Sequence, residues 1–381
     1  MFKGKTIAMI AVISVLIMTS LLIYNVYISN TYTNSSLSTT TVQEEKSKVY
    51  LRGSGATFPL PLYEEWIEEF MNEQNNIIVD YEGIGSGAGQ EQFFKGLTDF
   101  CGSDPPLSHE KWLEYKGKVL QLPTILGAVV VTYNVPEISR NIHLNISGEI
   151  LALIYKGEIE YWDDPHIKSL NPAIADRLPH QKIIVVHRSD ASGTTQIFTT
   201  FLHKSAPDIW PEELVGKTID WPIDKTGRGI GGKGNPGVTA VVVNTKYSIG
   251  YIEYQYALKN NLPIAAVMNK EGVFVLPSKT TIQSAAKYAL TTGLIPDSPD
   301  GDFSKELDAI IYAPGKDSYP ITAFSHIFVW KHYDDKEKAD AIKTFIKWIY
   351  TEGSKHVIEG YVAVPDEIKG IALKSINMIE G

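Results

Sequence analysis

The chain has one cysteine, Cys101, in 381 residues. A lone thiol excludes an intramolecular disulfide and a cysteine-built metal cluster. It is expected to be a small buried hydrophobe. Arginine is also scarce, with five residues against thirty lysines. Basic excess is missing altogether, since the formal net charge is -9. With no cationic stripe to neutralise a phosphate backbone, nucleic acid is not an expected partner. The nine histidines show no His-x-x-x-His or comparable spacing, so no metal site or cofactor is expected. Ser192 lacks the Gly-x-Ser-x-Gly frame of a nucleophile elbow. What the chain does have is bulk. With 44% hydrophobic residues, it can bury the core of one large or two medium domains.

One long apolar run stands out. Lys3 and Lys5 precede an uncharged stretch from Thr6 to about Ile28. Roughly 20 apolar residues span a bilayer as a helix, and the preceding lysines place the N-terminus in the cytoplasm. Residues 1–28 therefore read as a transmembrane anchor holding the protein on the outer face of the cell membrane. The alternative is a cleaved signal peptide and secretion. No cysteine follows the run to carry a lipid. Residues 29–48 are rich in Ser, Thr and Asn and read as a flexible stalk. Asn34 and Asn145 begin glycosylation sequons.

From Val49 onward, short β-rich runs alternate with amphipathic stretches. The expected strands are Ile77–Tyr81, Ala128–Tyr133, Lys182–His187, Val238–Asn244, Gly250–Tyr254 and Val273–Leu276. The expected helices are Pro59–Asn72, Gly89–Leu97, Gly148–Tyr155, Thr194–Lys204, Thr281–Tyr288 and Lys336–Thr351. Tyr63, Trp66, Ile67, Phe70 and Met71 recur at the helical period and give the first helix one buried face. This alternation predicts α/β layers with largely parallel sheets.

Three polar segments sit at expected helix starts. They are Gly53-Ser54-Gly55-Ala56-Thr57-Phe58-Pro59, Gly83-Ile84-Gly85-Ser86-Gly87-Ala88-Gly89 and Arg188-Ser189-Asp190-Ala191-Ser192-Gly193-Thr194-Thr195. A helix start presents unpaired N–H groups and a partial positive charge, which suits an anion. Thr57 sits where an N-cap belongs. The glycines after residue 83 let backbone N–H groups approach a ligand closely. Arg188 ends an apolar strand and offers a bidentate fork for an oxyanion, with Asp190 placed to orient it. Strand alternation turns the adjacent His187 to the opposite face. Asp104 is the odd member. An ionised carboxylate only accepts hydrogen bonds, so it favours an oxyanion that keeps a proton and rejects one that does not. Near neutral pH, phosphate keeps a proton and sulfate does not. Gly227–Gly234 nearly spells a P-loop, but Gly234 replaces the Ser or Thr that would bind magnesium. It is expected to be a glycine-rich loop near the cleft.

Together these segments resemble the phosphate-binding proteins of ABC-type phosphate importers, in the two-lobed solute-binding superfamily. Ser103-Asp104-Pro105-Pro106-Leu107 belongs to the likeness, as do the shorter matches Tyr161–Asp164, Gly231–Asn235, Gly250–Tyr254 and Tyr319–Thr322. The resemblance implies an α/β, periplasmic-binding-protein-like fold of type II, each lobe a mixed sheet flanked by helices, with two hinge crossovers. Lobe one would be residues 49–131 and 321–381, and lobe two residues 132–320. Thr57, Phe58 (through its N–H), Ser86 and Asp104 would bind inorganic phosphate from lobe one. Arg188, Ser192, Gly193 and Thr194 would bind it from lobe two, with Asp190 supporting Arg188. The implied partners are phosphate and an ABC permease, and the implied protein is a monomeric receptor rather than an enzyme.

Overall fold

The computed structural model describes residues 18–26 and 48–381. Residues 18–26 are helical. Among the described residues no helix is long and apolar enough to cross a membrane. The rest of the expected anchor, and nearly all of the stalk, lie outside the described residues. Lys48–Gly381 forms a unit of its own.

That unit begins with three parallel strands: β1 (Val49–Gly55), β2 (Ile77–Gly83) and β3 (Phe100–Ser103). Parallel neighbours require a crossover, usually a helix. Helix Leu60–Glu73 joins β1 to β2, and helix Ser86–Phe94 joins β2 to β3. The first of these buries Leu62, Tyr63, Trp66, Ile67 and Phe70, the expected stripe. Its start corrects the expectation for Thr57, because Pro59 occupies the N-cap and no side chain caps the helix. A residue before proline is pushed out of the helical region, so Phe58 and Thr57 are left in the approach loop. The second helix starts at Ser86, three residues before the expected Gly89.

The central strand β4 (Val119–Asn134) is buried along nearly its whole length. After it come β5 (Asn145–Ile146), β6 (Ile184–Arg188), β7 (Gly229–Gly232), β8 (Ser248–Glu253), β9 (Ala266–Met268), β10 (Phe274–Val275), β11 (Thr322–Trp330) and β12 (Val362–Ala363). From Val119 to Ala128, β4 pairs antiparallel with β11; from Val129 to Asn134 it pairs with β8. The main sheet therefore runs β2-β1-β3-β11-β4-β8-β6-β7, with β12 also on β4. β5, β9 and β10 form a small separate sheet. Asn145 lies in that sheet and its side-chain amide donates to the Leu170 carbonyl at 3.2 Å, so its sequon is not displayed on a loop.

Val238–Asn244, expected as a strand, is instead part of helix Gly234–Asn244. Its β-branched residues gave a strand-like composition, but topology overrides them. β7 and β8 both lie parallel to β6, so the chain must cross back over the sheet between them. Val238, Thr239 and Val242 face inward at helical spacing.

Candidate functional site

The carboxyl ends of parallel strands are where open α/β sheets bind ligands. Each candidate segment follows such an end. Thr57 and Phe58 follow β1, Ser86 follows β2 and Asp104 follows β3. Arg188 closes β6, and Gly234 and Asn235 follow β7. β1 to β3 form one parallel set and β6 with β7 another.

The two sets meet at Gly193. A β-carbon placed there would lie 2.5 Å from Asp104 Oδ2 and 2.6 Å from Ser86 Oγ. Only glycine permits that approach. Gly87 makes a second one, donating its N–H to the Ala191 carbonyl at 2.9 Å. Thr57, Ser86, Asp104, Arg188, Ser192 and Thr194 are all at most 4% exposed. The cleft is closed over them.

Arg188 is held on three of its five donors. Nε and Nη2 donate to the two Asp190 oxygens at 2.8 and 2.5 Å, and Nη1 donates to Thr194 Oγ1 at 3.3 Å. Two N–H groups remain for a ligand. Asp190 also accepts from the Gly234 N–H at 3.0 Å. Burial raises its carboxyl, but the Arg188 hydrogen bonds and charge outweigh that, and the group sits below its ordinary value. Ser192 caps helix Gly193–Ser205 by accepting from the Thr195 N–H at 3.1 Å. Its hydroxyl proton is left to donate. Gly193 and Thr194 open that helix, where N–H groups have no intrahelical acceptor.

On the other side, Asp104 Oδ1 accepts from Ser325 Oγ at 3.0 Å and Oδ2 from Ser86 Oγ at 3.4 Å. Burial pushes the Asp104 carboxyl up to about 7, against the opposing Ser325 hydrogen bond and Arg188 charge. Behind it, His326 Nδ1 lies 3.2 Å from the Asp104 carbonyl, and its Nε2 lies 2.9 Å from Glu306. Phe58 is fully buried, its carbonyl held by Tyr361 Oη at 2.6 Å.

Several participants were missed from sequence. Asn235 donates to Thr57 Oγ1 from both its backbone N–H and Nδ2, at 3.0 and 3.1 Å, and Nδ2 also reaches Thr194 Oγ1 at 3.2 Å. Tyr256 Oη donates to the Thr57 carbonyl at 2.7 Å. Ser325 holds Asp104. The Gly231–Asn235 stretch carried a signal for Asn235, but Ser325 had none, since its strand was not among those expected. His187 faces away from the site, toward Asp224 at 2.9 Å, and stacks on Trp221. Cys101 is fully buried beside Gly102, and burial pushes its thiol up.

Two sets of strand ends meeting over buried donors, joined through one central strand that changes partner along its length, define a two-lobed solute-binding protein. Residues 38–352 match the family model of the PBP superfamily domain. The chain is 48% identical over 348 residues to the phosphate-binding protein PstS of Methanocaldococcus jannaschii, covering 88% of each chain. It is 39% identical over 325 residues to PstS of Pasteurella multocida, covering 84% of this chain and 87% of that one. In fold it is similar to a high-affinity periplasmic phosphate-binding protein, PfluDING, solved with phosphate bound. That likeness has a TM-score of 0.65 at 22% identity, over 84% of this chain and 92% of that one. The chain belongs to the PstS family of phosphate-binding proteins within the PBP superfamily.

Proposed function

We propose that this protein is an extracytoplasmic receptor that binds inorganic phosphate between its lobes and delivers it to an ABC-type import permease. The observation that carries this is the meeting of Gly193 with Asp104 and Ser86 beside Arg188. Thr57, Phe58 and Ser86 donate from one lobe; Arg188, Ser192, Gly193 and Thr194 donate from the other. Asp104 accepts the proton that phosphate retains. Only the closed form supplies both sets, so phosphate favours closure. Titration calorimetry of the chain with phosphate, sulfate, arsenate and molybdate tests this. One phosphate per chain is expected, with sulfate far weaker at pH 8. No heat with phosphate would overturn the reading.

The lobes are proposed as residues 49–131 with 321–381, and 132–320. The change of partner along β4 and the start of β11 at Thr322 support crossovers near those limits. The exception within 132–320 is the segment around Pro299 and Asp300, which packs on lobe one. Its carbonyls accept from the Gln121 N–H at 2.7 Å and Trp112 Nε1 at 2.9 Å.

A hydrolase using Ser192 is the weaker reading, since His187 is turned to Asp224 rather than toward that hydroxyl. Residues 1–28 are proposed as the anchor and 29–48 as the stalk of a monomeric receptor, keeping it at high effective concentration near the permease. Deleting residues 1–29 is expected to release the protein into the medium with phosphate affinity unchanged. A large affinity loss in calorimetry would count against a tether.

A further inference from the structure

Lys217 and Gln90 connect the lobes at the cleft mouth. Lys217 Nζ donates to Gln90 Oε1 at 2.8 Å. Gln90 lies in helix Ser86–Phe94, one turn after Ser86. Its Nε2 donates to Ser103 Oγ at 2.8 Å, and Ser103 Oγ donates to the Pro105 carbonyl at 2.6 Å. These bonds bracket Asp104. At the other end, the Lys217 carbonyl accepts the Ser192 N–H at 2.9 Å. One residue thus holds the cap of the second-lobe helix through its backbone and reaches the first lobe through its side chain.

Lys217 makes no ion pair among the described residues, although carboxylates outnumber cations in the chain. Lys217 is only partly buried; its ammonium meets an amide oxygen rather than a carboxylate, and desolvation holds it below its ordinary value. A structural lysine gains more from solvent or a surface Glu. The tie also borders a cavity of about 780 Å³, lined by Gly87, Gln90, Pro106, Gln196 and Lys217. It therefore stands between the anion socket and that cavity.

We infer that the Lys217–Gln90 hydrogen bond is a latch that sets how fast the closed receptor releases its ligand. The inference rests on the phosphate reading above. The latch forms only when the lobes close, so it slows opening without touching the anion. A hydrogen bond to a charged group contributes about a tenfold factor or somewhat more.

The test is stopped-flow release of phosphate from the full chain, with calorimetry alongside. Lys217→Met is expected to speed release about tenfold, with association within about twofold and the preference for phosphate over sulfate unchanged. Lys217→Arg, which keeps a cation within reach of Gln90 Oε1, is expected to release more slowly than Lys217→Met. Retained phosphate binding with an unchanged release rate in Lys217→Met overturns the latch alone. Equal loss of association and selectivity also overturns it, by making Lys217 part of the anion site. Absence of phosphate binding in the unaltered chain overturns the receptor reading, and the latch with it.

Discussion

A carboxyl that ordinarily ionises near pH 4 is held up to about 7 at Asp104 because it is buried. Two consequences follow at this single residue. In the empty protein the folded state holds the Asp104 proton more tightly than the unfolded state does. Its stabilising contribution is therefore full below the ordinary value and is lost as pH rises through about 7. Between pH 5 and 8.5 the ligand-free chain is expected to lose about 2–3 kcal/mol more unfolding free energy than Asp104→Asn. Denaturant titration at both pH values checks this, and parallel slopes would contradict it. The second consequence is selectivity. Above pH 7 the ionised carboxylate repels sulfate, and below it the protonated group can donate to sulfate. Competition calorimetry is expected to show sulfate competing better at pH 5.5 than at 8.5. In Asp104→Asn that pH dependence disappears. The Arg188–Asp190 pair was legible in the sequence because its chemistry is local to one segment. Ser325, 221 residues from Asp104, and Asn235, 178 residues from Thr57, were not, because only the folded sheet brings them to the site.

At the scale of elements, the site is a set of strand ends and helix starts held in contact by glycine. Gly193→Ala introduces a β-carbon where Asp104 and Ser86 already stand. It is expected to cut phosphate affinity at least about a hundredfold, read by calorimetry, while the thermal transition moves little because the lobes open to relieve the clash. Retained affinity would remove Gly193 from the contact. Helices Leu60–Glu73 and Lys336–Thr351 could be read from apolar periodicity, which reports one buried face directly. Helix Gly234–Asn244 could not. Its Val-rich run favours a strand locally, and the need to cross between two strands parallel to β6 decides otherwise. The Thr57 position failed for a similar reason, since Pro59 delays the helix and leaves the hydroxyl to Asn235 rather than to a cap.

The molecule as a whole was legible as alternating α/β layers, and its two lobes, with a crossover near residue 131, as what the family resemblance implied. The structural counterpart is β4 exchanging one antiparallel partner for another in mid-strand, at Ala128 and Val129. No composition shift marks that point, because both halves of β4 are buried and equally apolar. The exchange joins the parallel set β1–β3 to the set of β6 and β7, whose carboxyl ends carry the candidate residues. A crystal structure of the chain grown with phosphate examines this arrangement most directly. One tetrahedral anion is expected within hydrogen-bond distance of Arg188, Ser86 and the Gly193 N–H, with one of its oxygens against Asp104. Phosphate bound elsewhere, with that socket empty, would contradict it.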